Sequence, residues 1–395
     1  MRKLRLAVFN TQPPHLYFGG VERRIMETAK LLRNEVDMTV YCGTKAGFKT
    51  PTHLDSATII PCFATDTVYP LDNWFFNRTI SAAADAIKAD VYEAHAVSGY
   101  GFWRALKKRK IKKPVIQTVH GVLADEYLKA LQSGTLTPRA MLANHFMGQL
   151  ARLEKTAAQN ATLVVTVSRY SAEKITQYYN VDSAKIRVAS NGVDTQRFRP
   201  MENRAEIRRQ IGVADRPCVL FVGRLIPRKG LIFLVEAAKQ IVKEFKHVVF
   251  LIVGDGPMRS QLLAYLRENS MLGKFLFLGD VNEPQLPELY NCADVFVLPS
   301  IQEGLGIVLL EAQATAIPVV AFNVGGVAEA LRAGETGLLV KPDSRELAGA
   351  IVKLLSSECL RAKMGAKGRE FVSEHFSWQS CAQKMLQVYR EAFSS

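Results

Sequence analysis

Glu303 and Glu311 flank a short Gly304-Leu305-Gly306 loop. The apolar run Val295–Leu298 ends at Pro299 before that loop. A helical segment opens near Ile307 and continues through Ala314. In open α/β sheets, ligands bind beyond the carboxyl ends of the strands. Free N–H groups at a helix start, with the helix dipole, favour an anion. Gly304 and Gly306 let that anion approach the backbone, so the loop suits a phosphate. Two carboxylates beside a phosphate repel it unless they have another task. Accepting hydrogen bonds from sugar hydroxyls is such a task. The plainer alternative is a solvated loop acid and a helix surface acid.

Three further segments carry compatible chemistry. Phe221-Val-Gly-Arg224-Leu-Ile-Pro-Arg-Lys229-Gly230 reads as a strand end, a short loop and a helix start. Arg224 and Lys229 within one loop suit a diphosphate and would stabilise negative charge growing on a leaving group. Gly19 and Gly20 separate the first strand from an amphipathic helix with Val21, Ile25, Ala29 and Leu32 on one face. They offer backbone N–H groups to another phosphate oxygen, a weak signal alone. His120 follows an apolar strand; it reads as a ligand contact or as a satisfied structural histidine. Ser168 reads as a helix cap, and Gly254-Asp-Gly-Pro257 as a strand-to-helix turn.

The elements that must hold these residues are legible as alternation. In the first half, strand-like runs fall at Leu4–Phe9, Met38–Cys42, Thr58–Pro61, Val91–Ala94, Val115–Val119, Leu163–Val167 and Ile186–Ala189. In the second they fall at Cys218–Val222, Val248–Val253, Phe275–Leu278, Val295–Leu298, Val319–Ala321 and Leu338–Val340. Strands alternating with helices imply βαβ units and parallel sheets. A chain of 395 residues suits two domains. Turn and linker signals across 191–201 place the boundary there. The expectation is an α/β protein with two Rossmann-like domains, residues 1–197 and 198–377. The amphipathic segment 378–395, with Met385, Val388, Tyr389 and Ala392 in helical spacing, returns to complete the first.

Together these segments resemble the retaining family 4 glycosyltransferases, along the whole chain. The resemblance rests on the Glu-x7-Glu pair (Glu303 and Glu311), Gly-Arg-Leu-x-x-x-Lys-Gly (Gly223 to Gly230) and Gly254-Asp-Gly-Pro257. It rests also on Asn191-Gly-Val-Asp194, Gly19-Gly20 and His120. The resemblance implies a GT-B fold, two facing Rossmann-like domains with a central cleft. It implies transfer of a hexosyl group from GDP-mannose or a UDP-hexose with retention. Arg224 and Lys229 would hold the diphosphate, Glu311 the ribose, and Glu303 with Gly304, Leu305 and Gly306 the sugar. His120 would meet the transferred sugar, and Gly19 and Gly20 the diphosphate. The catalytic set implied is Glu303, His120, Arg224 and Lys229. No cofactor or metal is expected; the chain has no Asp-x-Asp.

Charge bears on the acceptor. Residues 1–200 carry 28 Lys and Arg against 16 Asp and Glu, a net +12 of the chain's +14. Such a field attracts anions. The run Lys107-Lys-Arg-Lys-Ile-Lys-Lys113 is its densest part, with Phe102, Trp103 and Trp74-Phe75-Phe76 nearby. Cations beside aromatics suit an anionic membrane surface; a solvated helix end and a core suit them equally. A lipid-linked or glycan acceptor follows by analogy. The apolar start Leu6–Phe9 is too short for a signal h-region. A cytoplasmic protein, peripheral on the inner membrane face, is the expectation. Six scattered cysteines read as buried, reduced thiols. The rivals are a nucleotide-sugar epimerase or a phosphorylase of the same fold, and a non-catalytic basic binder. No nucleic-acid module is evident, so nucleic acid is not an expected partner.

Overall fold

The computed structural model describes residues 2–17, 19–65, 71–132 and 138–395. The chain divides into two compact units, Met1–Asn191 with Trp378–Ser395, and Gly192–Ser377. Each is Rossmann-like by itself.

The first unit holds β1 (Leu4–Asn10), β2 (Val36–Gly43), β3 (Thr52–His53), β4 (Thr58–Cys62), β5 (Val91–His95), β6 (Val115–Val119), β7 (Leu163–Thr166) and β8 (Ile186–Val188). They form one sheet in the order β3-β4-β2-β1-β5-β6-β7-β8. Only β3 runs antiparallel, against β4. This two-residue strand is absent from the sequence expectation, being too short to show a period. Successive side chains of β1 serve opposite faces, as strand geometry requires. Leu6 and Val8 pack with Ile25, Ala29 and Leu32 of the helix Gly20–Leu32. Ala7 and Phe9 pack with Phe76, Ile80 and Phe102 on the other face.

The C-terminal helix, Trp378–Ser394, belongs to this first unit. Met385, Leu386, Val388, Tyr389 and Ala392 join the core built on Leu6 and Val8. Burying side chains of this size contributes roughly 1.5–3 kcal/mol each, which holds the helix in place without a covalent tie.

The second unit holds β9 (Cys218–Val222), β10 (Val249–Val253), β11 (Phe275–Gly279), β12 (Val295–Leu298), β13 (Val319–Phe322) and β14 (Gly337–Val340). Their order is β11-β10-β9-β12-β13-β14, all parallel. Numbered within the unit this is 3-2-1-4-5-6, so the winding reverses between β9 and β12. The loops after those two strands therefore flank the crevice where such sheets bind ligands. Both strands are buried throughout, as continuous apolar runs in a doubly covered sheet must be.

The thiols depart from expectation at one place. Cys42, Cys62, Cys218, Cys292 and Cys381 are buried, but Cys359 is exposed. It lies in the helix Glu358–His375 on a turn that faces away from the core.

Candidate functional site

In the second unit, the loop after β9 and the loop after β12 are joined backbone to backbone. The Ile301 N–H donates to the Arg228 carbonyl at 2.9 Å. Gly230 sits at φ +65°, and a Cβ there would run into the Pro299 carbonyl oxygen. Glycine is thus required twice over, for the left-handed turn and for the close approach. The turn 254–258 docks on the same loop: Leu225 N–H donates to Asp255 O at 2.9 Å and Met258 N–H to Leu225 O at 3.0 Å. A Cβ at Gly256 would press on Leu225 backbone atoms. Gly254-Asp-Gly-Pro257 is therefore a packing turn that fixes the Arg224–Gly230 loop.

This framework brings Lys229 onto Glu303. The Lys229 ammonium donates to Glu303 Oε1, the same oxygen that accepts from Ser300 Oγ at 2.9 Å. Arg228 lies 3.9 Å from Oε2. Glu303 is buried. Burial works against its charge, yet Lys229 and Arg228, with the Lys229 and Ser300 hydrogen bonds, hold its pKa below the usual carboxylate value. It is an anion at neutral pH. Its carbonyl accepts from Gly326 N–H at 3.0 Å, and Gly325, at φ +59°, leaves no room for a Cβ beside it. The acid is thus fixed at both its side chain and its backbone.

Arg224 does not join this pair. Its side chain is exposed and has no hydrogen-bond or ion-pair partner among the described residues. Glu311 also stands apart. It lies in the helix Ile307–Ala314, 1% exposed, and accepts from the Tyr290 hydroxyl at 2.7 Å. Gly306, at φ +92°, caps that helix, while Leu305 is buried and Gly304 half-buried.

In the first unit, Gly19 caps the helix Gly20–Leu32 in an extended conformation. The Glu22 carboxylate occupies the space a Gly19 Cβ would need and accepts from Asn10 Nδ2 at 3.0 Å. The N-terminus of this helix thus already has an acid beside it. Burial pushes the Glu22 carboxyl up, against the pull of the Asn10 hydrogen bond.

His120 directly follows β6 and is half-buried. Its Nε2 lies 2.8 Å from Nδ1 of His95, the last residue of β5, and the two rings stack at 5.1 Å. Burial pushes His95 down to about 4. Burial, with the charge His95 and Arg24 would add, holds His120 well below the usual imidazole value. Both rings are neutral at pH 7.

Of the remaining sequence features, Ser168 caps the helix Arg169–Lys174, accepting from Ser171 N–H at 3.1 Å. The basic run closes the helix Tyr100–Arg109, with Lys110 left-handed at its end. Lys107 lies 5.1 Å over the Trp103 ring. Phe76 and Phe102 are core residues, whereas Trp74 is 54% exposed. Sequence reasoning missed Ser300, Arg228, Tyr290 and His95. His95 had a signal: it closes β5 just as His120 follows β6, the neighbouring strand. Among the described residues no three of His, Cys, Asp and Glu are grouped to hold a metal ion, and no helix is long and apolar enough to cross a membrane.

Comparison with known proteins assigns a family to each unit. A family described as Glycosyltransferase Family 4 matches residues 18–197, and one described as Glycosyl transferases group 1 matches residues 203–371. The chain is 34% identical over 356 residues to a GDP-mannose-dependent alpha-(1-6)-phosphatidylinositol monomannoside mannosyltransferase of Mycobacterium tuberculosis, covering 80% of this chain and 92% of that one. It is 32% identical over 310 residues to an uncharacterized glycosyltransferase of Methanocaldococcus jannaschii, covering 77% and 76%. Sucrose-phosphate synthase from Thermosynechococcus elongatus shares the fold, with a TM-score of 0.86 at 23% identity over 99% of this chain and all of that one.

Proposed function

Because the chain belongs to the GT-B glycosyltransferases, family 4 in its first unit and group 1 in its second, we propose that it transfers a hexosyl group from a nucleoside-diphosphate sugar, with retention and without a metal, to a lipid-linked or glycan acceptor. The observation that carries this reading is the Lys229–Glu303 pair at the switch point of the second sheet. It puts a cation and an ionised acceptor side by side where such sheets bind ligands.

On this reading Lys229 and the exposed Arg224 take the diphosphate, and Gly19 and Gly20 contribute backbone N–H groups to it. Glu303, with Gly304, Leu305 and Gly306, takes the sugar hydroxyls, and Glu311 takes the ribose. Glu311 must give up or share the Tyr290 hydroxyl to do so. His120, neutral and half-buried, meets the transferred sugar. The cations neutralise the charge that grows on the leaving diphosphate, and positioning supplies much of the rest of the rate. The departing phosphate takes the acceptor proton, so no protein nucleophile is required.

The GDP-mannose and phosphatidylinositol monomannoside in the mycobacterial relative's name favour GDP-mannose as donor and a lipid acceptor. The Lys107–Lys113 run beside Trp103 supports a peripheral association with an anionic membrane face. A panel of GDP- and UDP-sugars, assayed for nucleoside diphosphate release with and without a membrane lipid extract and with EDTA, tests the whole reading. Acceptor-dependent release that survives EDTA supports it. Interconversion of the donor sugar with no acceptor present would replace it with an epimerase.

A further inference from the structure

Behind His120 runs a buried chain of polar groups that the donor reading does not use. It begins at Glu93 in β5. The Thr118 hydroxyl donates to Glu93 Oε1 at 2.6 Å, and the Tyr389 hydroxyl donates to Oε2 at 2.6 Å. Both carboxyl oxygens of Glu93 thus serve as acceptors. His95 Nε2 lies 3.6 Å from Glu93 Oε1, buried and without a hydrogen-bond partner. Beside it is a cavity of about 10 Å3, apolar on one side (Val8, Ile25, Met38) and lined on the other by Arg24, Thr28, Glu93, His95 and Tyr389. That is about the space one water needs.

The backbone locks this geometry. Ala96, the residue after His95, sits at φ +49°, a conformation that is uncommon for any residue with a Cβ. Its N–H donates to Thr118 O at 2.9 Å, and its carbonyl accepts from Gln117 Nε2 at 2.5 Å. Strain of this kind persists only where the surroundings over-determine it. Here it lies one residue beyond His95 and ties the end of β5 to β6.

The tautomers then follow in order. A neutral imidazole has one N–H and one lone pair. The Glu93 carboxylate draws the His95 proton to Nε2, leaving Nδ1 as the lone pair. His120 Nε2, 2.8 Å away, must therefore carry the N–H and donate. His120 Nδ1 is left as an acceptor, with no partner among the described residues. We propose that Glu93, His95 and Tyr389 are positioning residues that fix His120 in its Nε2–H tautomer and present its Nδ1 lone pair to a substrate hydroxyl. Tyr389 lies in the C-terminal helix, so the last segment of the chain sets the hydrogen-bonding sense of a ring that follows β6. The inference rests on the reading that His120 meets substrate.

The test is nitrogen NMR of the full-length protein labelled at its seven histidines, with His120 assigned through His120→Gln. His120 should show a protonated Nε2 and an unprotonated Nδ1, unchanged from about pH 8 down to about pH 6. A protonated Nδ1 in the wild-type chain would overturn the proposal, and this needs no variant to fold. His95→Phe, or His95→Asn if the larger residue does not fold, should lower turnover about tenfold with the donor KM unchanged. It should also introduce a fall in turnover below about pH 6.5 that the wild type lacks. Wild-type rate and pH profile in that variant would refute the positioning role. His120→Ala at wild-type rate would instead sink the substrate-contact reading while leaving the tautomer result standing, so the two failures are distinguishable.

Discussion

Removing either half of the Lys229–Glu303 pair should destabilise the second unit, and removing both should restore stability without restoring turnover. Two unit charges about 3 Å apart attract by roughly 5 kcal/mol at an effective dielectric near 20. Withdrawing them from water costs several kcal/mol each, so the intact pair is near break-even. Half a pair is not. Glu303→Gln leaves the Lys229 ammonium, whose side chain is 14% exposed, without its anion. Lys229→Met leaves Glu303 with Arg228 at 3.9 Å and Ser300 at 2.9 Å among the described residues. A fully buried orphan costs about 3–5 kcal/mol. The residual exposure and the remaining partners reduce this to roughly 2–3 kcal/mol for each single variant. At about 2–4 °C per kcal/mol for a domain of this size, melting should fall by roughly 5–10 °C. The double variant should recover most of it; two single losses of roughly 2–3 kcal/mol against a double loss near 1 kcal/mol give a coupling energy of about 3–5 kcal/mol. If the same atoms bind donor, all three variants should lose at least tenfold in nucleoside diphosphate release. Circular dichroism melts and urea curves read the first quantity, and a donor turnover assay the second. A double variant that regains both stability and turnover would show that the pair is structural only. Single variants that melt like wild type would show that it is not a buried ion pair at all.

Three further outcomes follow from local geometry. Tyr290→Phe removes the hydroxyl that donates to Glu311 at 2.7 Å; it should cost about 1 kcal/mol in stability and shift the donor KM, read from saturation curves. Gly230→Ala puts a Cβ against the Pro299 carbonyl at a left-handed position; it should destabilise by roughly 1–3 kcal/mol and lower turnover together, checked by urea midpoint and rate. Glu154 accepts from the Tyr179 hydroxyl and from Leu123 N–H at 3.1 Å, and burial pushes its carboxyl up to about 7. A raised carboxyl pKa gives stability that is complete below the unfolded value and is lost as pH climbs through the folded one. The first unit should therefore lose roughly 3 kcal/mol between about pH 4.5 and pH 8, and Glu154→Gln should flatten that slope in urea titrations.

The fold was legible because parallel strands covered on both faces read as largely apolar runs. Val295–Leu298 and Cys218–Val222 are apolar at every position, and both stand as strands with the predicted bounds. Strand β3, two residues long at an edge, has nothing to announce it. The return of the C-terminal helix was legible for the same reason: Met385, Val388, Tyr389 and Ala392 repeat at helical spacing and had to be covered. At the candidate site the sequence names residue types and their chain spacing, but not which side chains meet. Lys229 and Glu303 are 74 residues apart. They meet because sheet order places β12 beside β9, a fact of topology that pair spacing cannot encode. Arg228, between two equally plausible cations, was passed over although it lies within ion-pair reach of Glu303.

Two acids eight positions apart look equivalent in one dimension, and their surroundings make them different chemical groups. Glu303 stands in a loop where Lys229 and Arg228 hold it charged and Ser300 fixes one oxygen. Glu311 stands one turn inside a helix whose other buried residues are Leu309, Leu310, Ala312, Gln313 and Ala314, with the Tyr290 hydroxyl on it. The first has its charge answered and is tied in place by a strong, directional contact. The second is sealed, and a ligand reaches it only by competing with a phenol. Donor binding on this reading is therefore an exchange of hydrogen bonds at Glu311 and an exchange of ion-pair partners at Lys229. Neither acid meets the ligand from a free state. Affinity then reports the difference between two satisfied arrangements, so Tyr290→Phe, which weakens the unliganded one, should tighten donor binding where Glu311 itself is retained. A looser donor in that variant would mean that Tyr290 holds Glu311 in position for the ligand instead of competing with it.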